Sequence, residues 1–276
     1  MSKENDRSLR FYNEVLGLDH LHYGLWNEGE EVNLENFKLA QTRYEDAIVD
    51  QLPEVAGAVR VLDVGCGTGS LSQRLIAAGY AVEGLSPDRT QQENFTAKLG
   101  VPFHHCHFED FKPEGLFDCL VFSESCQYIK PDALAAVAAQ CLRPGGSIVI
   151  CDYFTLKGVS GLLAKSGHDI ESFKATMLAA GYQMEAETDI TERTLPTLEL
   201  AEDVVRRALI AVDILTEKVR TKRPWLAKIV MRLSRKKRES LQEQRVLIDA
   251  EAFRKHKQYL LLRYRVSKPM RSVHAF

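Results

Sequence analysis

The chain has 276 residues, of which 45% are hydrophobic and 27% charged, with a formal net charge of -2. That balance excludes bulk attraction to nucleic acid, and no run approaches the roughly 18 apolar residues a membrane span needs. The charged start "MSKENDRSLRFYNEV" lacks the apolar segment of a secretory signal, and six cysteines without CxxC spacing fit a reduced, cytoplasmic protein.

Residues before Arg60 read as two helices around a turn-rich "HLHYGLWNEGEE". From Ala58 to Ser147 short apolar runs then alternate with helical periods. "AVRVLDVG" is a buried strand, and "SLSQRLIAAGY" a helix ending at Gly79. "AVEGLS" is the second strand, and Gly100 stops the helix "RTQQENFTAKLG". "VPFHHCHFEDF" contains a third strand and "GLFDCLVFSES" a fourth. "PDALAAVAAQCL" is a helix cut by "RPGG", and "SIVICDYF" is the fifth strand. Strands separated by helices imply βαβ crossovers, a parallel sheet, and a ligand beyond the carboxyl ends of the strands. "DIESFKATMLAAGYQMEAETDIT" reads as a helix and a sixth strand. A long helical region follows from about Glu199 to Ala252, interrupted at Pro224, and "KQYLLLRYRVSKP" is the last strand.

The stretch "VLDVGCGTGS" places glycines at 65, 67 and 69 between strand and helix. Glycines there let backbone N–H groups approach a ligand closely. The dinucleotide fingerprint G-x-G-x-x-G needs its last glycine one residue later, which argues against a nicotinamide oxidoreductase. The whole string resembles the first motif of class I S-adenosylmethionine-dependent methyltransferases. "FDCLVFSES", "CLRPGGSIVICD", "LLAAGYQMEAETDIT" and "YLLLRYRVSKP" resemble that family's later motifs. "DHLHYGLW" after "FYNEVLG" looks like the N-terminal cap of its tocopherol, sarcosine and cyclopropane-type small-molecule group.

The resemblance implies an α/β, Rossmann-like sheet of seven strands with the last antiparallel. It also implies a helical cap over residues 1–50, a cofactor-binding core over 51–192, a helical lid over 193–251, and a final strand within 252–276. The implied cofactor is S-adenosyl-L-methionine, and the implied reaction is in-line methyl transfer to a small molecule.

Carried across by resemblance, Gly65 and Gly67 approach the cofactor's amino-acid part, and Asp63 lies near its amine or braces the loop. Strand two ends without the family's usual acid; Ser86 is the ribose candidate, with Asp88 or Gln91 assisting. His107, Phe108 and Glu109 are candidates for the adenine edge, and Ser123 for the methionine part. Tyr12, His22 and Tyr23 are cofactor-closing candidates, since aromatic faces attract cations. Trp26, Gln127, Tyr128 and Tyr153 are candidates for the substrate pocket. A base is needed only if the acceptor arrives protonated; Glu124, His22 and His168 are candidates. The run His104–His107 suggests a metal, but alternate strand residues face opposite sides, so no metal is expected.

Residues 217–245 carry 11 Lys or Arg against 3 Glu, with Trp225, Leu226, Ile229, Val230 and Leu233 at helical spacing. This basic, amphipathic stretch is read as an ordinary pocket lid. The alternatives are docking to an anionic membrane to meet a lipid- or quinone-type acceptor, contact with an acidic carrier protein, or binding of a phosphorylated substrate. No nucleic-acid motif accompanies the core. A catalytically silent cofactor-binding protein is the remaining rival.

Overall fold

The computed structural model describes residues 17, 20, 22–54, 57–222 and 245–266. Seven strands form one sheet in the order β3-β2-β1-β4-β5-β7-β6. They are β1 (Arg60–Val64), β2 (Ala81–Leu85), β3 (Phe103–His104), β4 (Phe117–Ser123), β5 (Leu142–Thr155), β6 (Tyr182–Asp189) and β7 (Lys257–Val266). The first five run parallel, and β7 pairs antiparallel with both β5 and β6. Seven strands with the last antiparallel are what the resemblance to class I methyltransferases implies. Because β1 pairs with both β2 and β4, the chain reverses direction of winding there, and a crevice opens past the carboxyl ends of those strands.

Period-two alternation sends successive strand residues to opposite faces. Leu62, Leu120, Ile148, Ile150 and Leu262 pack into one apolar cluster, while Val61, Val121, Val149, Cys151 and Leu261 pack into another. Helices α4 (Pro131–Cys141) and α5 (Ile170–Ala179) cover the first face. The second is covered by α1 (Leu34–Val49), α2 (Ser70–Ala77), the start of α6 (Thr191–Lys222), and α7 (Ala250–His256). Helix α3 (Arg89–Leu99) packs Phe95 against Gly84 of β2.

Helix starts follow side-chain chemistry. Asn33, Asp88, Asp169 and Asp249 each accept from backbone N–H groups of the first turn of α1, α3, α5 and α7, satisfying donors with no partner inside the helix.

Two elements differ from the sequence reading. Helix α6 begins at Thr191 rather than near Glu199 and carries Pro196 within it. Asp189 fixes that start by accepting from both the backbone N–H and the hydroxyl of Thr191. Strand β5 begins at Leu142, with a register shift: Phe117 pairs with Leu142, but Cys119 pairs with Ser147. "RPGG" is thus a bulge inside the strand's span rather than a turn ahead of it. Most of the basic stretch 217–245, including Trp225, Leu226, Ile229, Val230 and Leu233, lies outside the described residues. No helix among the described residues is long and apolar enough to cross a membrane.

Candidate active site

A cavity of about 590 Å³ opens at the carboxyl ends of β1, β2 and β4. Its rim begins with the glycine loop. Gly65 adopts φ +75° and Gly67 φ +55°, in the left-handed region that favours glycine. The Gly65 N–H donates to the Leu85 carbonyl at 2.7 Å, which ties the loop to β2. A Cβ on Gly65 would stand 2.5 Å from Cβ of Ser125, whereas one on Gly67 would meet no atom within 4 Å. Gly65 is therefore required by the protein's own packing, and Gly67 keeps the cavity wall open.

Asp63, Asp88, Glu109 and Glu124 line the cavity, together with His20 and His22, and among the described residues no Lys or Arg lines it. Such walls suit a ligand carrying positive charge and disfavour a pyrophosphate. Asp63 is almost fully buried and accepts from the Ser72 hydroxyl at 2.6 Å. Burial, reinforced by Glu45, pushes its pKa up to about 7 against the opposing Ser72 bond. Ser86 donates to Oε1 of Gln91 at 2.7 Å and accepts from the Asp88 N–H. The Asp88 carboxylate caps α3 through the N–H groups of Thr90 and Gln91. His107, Phe108 and Glu109 form the wall beyond β3, where Phe108 stands edge-on to Phe122.

Glu124 sits just past the end of β4 with φ +49°, the one described non-glycine residue with positive φ. Such strain costs about 1–3 kcal/mol and persists only where surroundings over-determine it. Here the Tyr23 N–H donates to Glu124 Oε1 at 2.7 Å and the Tyr259 hydroxyl donates to the same oxygen at 2.6 Å. Burial raises the Glu124 carboxyl above its ordinary range, opposed by His22, Tyr259 and the Tyr23 N–H. The Tyr44 hydroxyl meets the Cys151 carbonyl at 3.1 Å and Oγ of Ser123 at 3.3 Å, while Tyr259 lies 3.1 Å from Tyr44.

His22 stacks on Tyr44. Its Nδ1 donates to the Tyr23 carbonyl at 2.7 Å, and its Nε2 faces Oε1 of Glu45 at 3.3 Å. Burial works against charge on this ring, but Glu45 and Glu124 outweigh it and raise its pKa.

The cavity thus gathers His22, Asp63, Gly65, Gly67, Ser86, Asp88, Gln91, His107, Phe108, Glu109, Ser123, Glu124 and Tyr128 from the sequence candidates. Tyr12 lies outside the described residues. Tyr23 reaches the site through its backbone N–H, while its ring joins Tyr153, Phe253 and Tyr259 in an aromatic cluster beside it. Gln127 does not line the cavity; its N–H and Nε2 both face the Asp152 carboxylate. Trp26 is packed in the core, stacked on Phe37 with its Nε1 donating to Thr197. His168 faces away, with Nε2 shared between the carbonyls of Cys126 and Ile129. His104 and His105 turn to separate partners, Glu83 and the Pro87 carbonyl.

Sequence reasoning missed His20, Glu45, Ser70, Tyr44 and Tyr259. The H-x-H spacing of His20 and His22 was a usable signal, because alternate residues of an extended segment share a face. Nothing local marked the others.

The profile of a protein family described as "Methyltransferase domain" matches residues 37–194. The chain belongs to this family. Its sheet order and glycine loop agree with a class I S-adenosylmethionine-dependent methyltransferase. A similar relative is the 27-O-demethylrifamycin SV methyltransferase of Amycolatopsis mediterranei (strain S699). It is 27% identical over 202 residues, covering 65% of this chain and 72% of that protein. Among solved structures, the [4+2]-cyclase SpnF covers 95% of this chain and 94% of its own at TM-score 0.68 and 19% identity. The geranyl diphosphate C-methyltransferase of Streptomyces coelicolor A3(2), crystallised with S-adenosyl-L-homocysteine, covers 92% and 90% at TM-score 0.66 and 17% identity. The methyltransferase's cavity fits its cofactor: Gly67 leaves the approach open, and the carboxylate walls match a sulfonium and an ammonium.

Proposed function

We propose that this methyltransferase methylates a hydroxyl of a small, partly apolar acceptor, with Glu124 as the base. The observation that carries the reading is Glu124 itself, a strained carboxylate at the cavity wall with the Tyr23 N–H and the Tyr259 hydroxyl both donating to one oxygen. That arrangement leaves Oε2 to meet an acceptor. A carboxylate whose pKa burial raises is a better proton acceptor than an exposed one. His22 is a poorer base, because one ring nitrogen donates to the Tyr23 carbonyl and the other faces Glu45.

When bound, S-adenosylmethionine supplies a methyl group already activated on a sulfonium. Asp63, Gly65, Gly67 and Ser123 would hold its amino-acid part. Ser86, with Asp88 and Gln91, would meet its ribose, and His107, Phe108 and Glu109 its adenine. The protein's share of the rate is then positioning, which brings nucleophile and methyl carbon to about 3 Å. Glu124 takes the proton that the acceptor's hydroxyl loses. Tyr128, which lines the cavity and is 78% exposed, and Ile129 would contact the acceptor. Residues 193–251 would close over it as a lid. The O-methylation named for the rifamycin relative supports this class of acceptor.

A second reading places the acceptor in a membrane. Helix α6 exposes Leu209, Ile210, Val212 and Ile214 just ahead of the basic stretch 217–245, a combination suited to an anionic lipid surface. One experiment separates the two: incubation with methyl-labelled S-adenosylmethionine and a cell extract divided into soluble metabolites and total lipids. Label in a product of the soluble-metabolite fraction supports the first reading, and label in a product of the total-lipid fraction the second. Turnover that survives Glu124→Gln undiminished rejects Glu124 as base in either case.

A further inference from the structure

Beside the part of the cavity wall formed by His20 and His22, three side chains converge that the methyl-transfer reading does not use as a set. His20 and His22 come from the extended segment ahead of α1, and Glu45 from α1 itself. Their donor atoms all lie within 4.8 Å of one another. Oε1 of Glu45 stands 2.9 Å from Nδ1 of His20 and 3.3 Å from Nε2 of His22. Bonds of about 2.0–2.2 Å from one ion to imidazole nitrogen and carboxylate oxygen put neighbouring ligand atoms about 3 Å apart. The two spacings from Glu45 match that figure, and the two histidine nitrogens lie within 4.8 Å of each other.

The site is also built from outside. The Nδ1–H of His22 donates to the Tyr23 carbonyl at 2.7 Å, which directs the lone pair of the neutral ring to Nε2, toward Glu45. A carbonyl on the far nitrogen is the usual way a metal-binding imidazole is oriented. Gln41 lies one helical turn before Glu45, and its Nε2 donates to the carbonyls of His20 and His22 at 3.3 and 2.8 Å. It straps the H-x-H segment across α1, so that both rings meet Glu45.

Nδ1 of His20 stands within hydrogen-bond distance of two partners, Oε1 of Glu45 at 2.9 Å and Oγ of Ser70 at 2.8 Å. A single ring nitrogen has one hydrogen or one lone pair, so the two compete for it.

We propose that His20, His22 and Glu45 bind one divalent first-row transition ion, Zn²⁺ in the first instance, at the cavity wall. Two imidazoles and one carboxylate form a ligand set that suits Zn²⁺, Co²⁺, Mn²⁺ or Fe²⁺. His20 and His22 both line the cavity, so the remaining coordination positions open toward its contents. The inference is independent of the acceptor and of Glu124.

The test uses the full chain with any affinity tag removed, stripped with a chelator and dialysed. Zn²⁺ alone is titrated by calorimetry, and Co²⁺ alone is followed by its visible absorption. The expected result is one equivalent bound, with the absorption of a low-symmetry nitrogen–oxygen site. Glu45→Gln and His20→Asn should each weaken Zn²⁺ by more than about 100-fold, beyond what loss of an outer-shell partner costs. The separate His104–Glu83 pair serves as control, so His104→Ala should bind as the parent does. Binding without one-to-one stoichiometry in the parent chain overturns the proposal before any variant is made. Equal affinity in Glu45→Gln, His20→Asn and the parent overturns it as well.

Discussion

Gly65 and Gly67 are two residues apart in one loop, yet their replacement by alanine should fail in different ways. At Gly65 the added methyl would lie 2.5 Å from Cβ and 3.1 Å from Oγ of Ser125. Ser125 cannot easily yield, because its hydroxyl donates to the Val64 carbonyl at 2.5 Å. Overpacking costs about 1–3 kcal/mol, and a left-handed backbone costs an alanine about 1–2 kcal/mol more. Gly65→Ala should therefore lose about 2–5 kcal/mol of folding stability. At Gly67 the backbone cost is the same, but the methyl meets no protein atom within 4 Å. Its crowding falls instead on whatever fills the cavity, where 1–3 kcal/mol corresponds to about 5- to 150-fold in Kd. Urea unfolding without ligand measures the first effect, and calorimetric titration with S-adenosylhomocysteine the second. Equal stability losses in the two variants, or parent-like affinity in Gly67→Ala, would refute this division of labour.

Further outcomes follow from other groups. Asp152 is fully buried, and burial, with Glu124, pushes its pKa up to about 7. The folded state therefore keeps a proton that the unfolded chain releases near pH 4. This contribution, about 4 kcal/mol, is complete below about pH 4 and is lost as the pH rises through about 7. Urea midpoints at about pH 5 and pH 8 should fall less in Asp152→Asn than in the parent, and an unchanged difference would contradict this. Glu124→Gln should lower kcat by about 10²–10⁴-fold, the usual range for a general base, while cofactor affinity stays near that of the parent. Tyr259→Phe removes the 2.6 Å donor to Glu124 and should cost about 1.5–3 kcal/mol in urea unfolding, the range for a bond to a charged group. Asp249→Ala removes the cap of α7 and should cost about 1 kcal/mol.

The sheet was legible because its signals are local. A buried strand, a glycine and a helical period each lie within a dozen residues, and their order along the chain defines the winding. The glycine loop was legible for the same reason, and its spacing separated S-adenosylmethionine from a dinucleotide before any coordinate. The charge of the cavity agrees by an independent route, since its carboxylates come from β1, the start of α3, the turn after β3 and the end of β4.

What was not legible is the direction of individual side chains and the meeting of distant ones. Trp26 and His168 are chemically suited to a pocket, yet each finds partners elsewhere, Trp26 at Thr197 and His168 at two carbonyls. Residue type gives chemistry, whereas facing depends on the elements packed around it. The support of Glu124 shows the same limit from the other side. Tyr23 and Tyr259 stand 101 and 135 residues from it in sequence, and neither has a motif of its own. Tyr259 reaches Glu124 only because β7 inserts antiparallel beside β5, pairing Tyr259 with Tyr153. A strand is legible there in its own pattern, and its antiparallel direction is what the family resemblance implies, but its register is not legible. A one-residue slip would turn Tyr259 to the opposite face and remove a donor from the carboxylate.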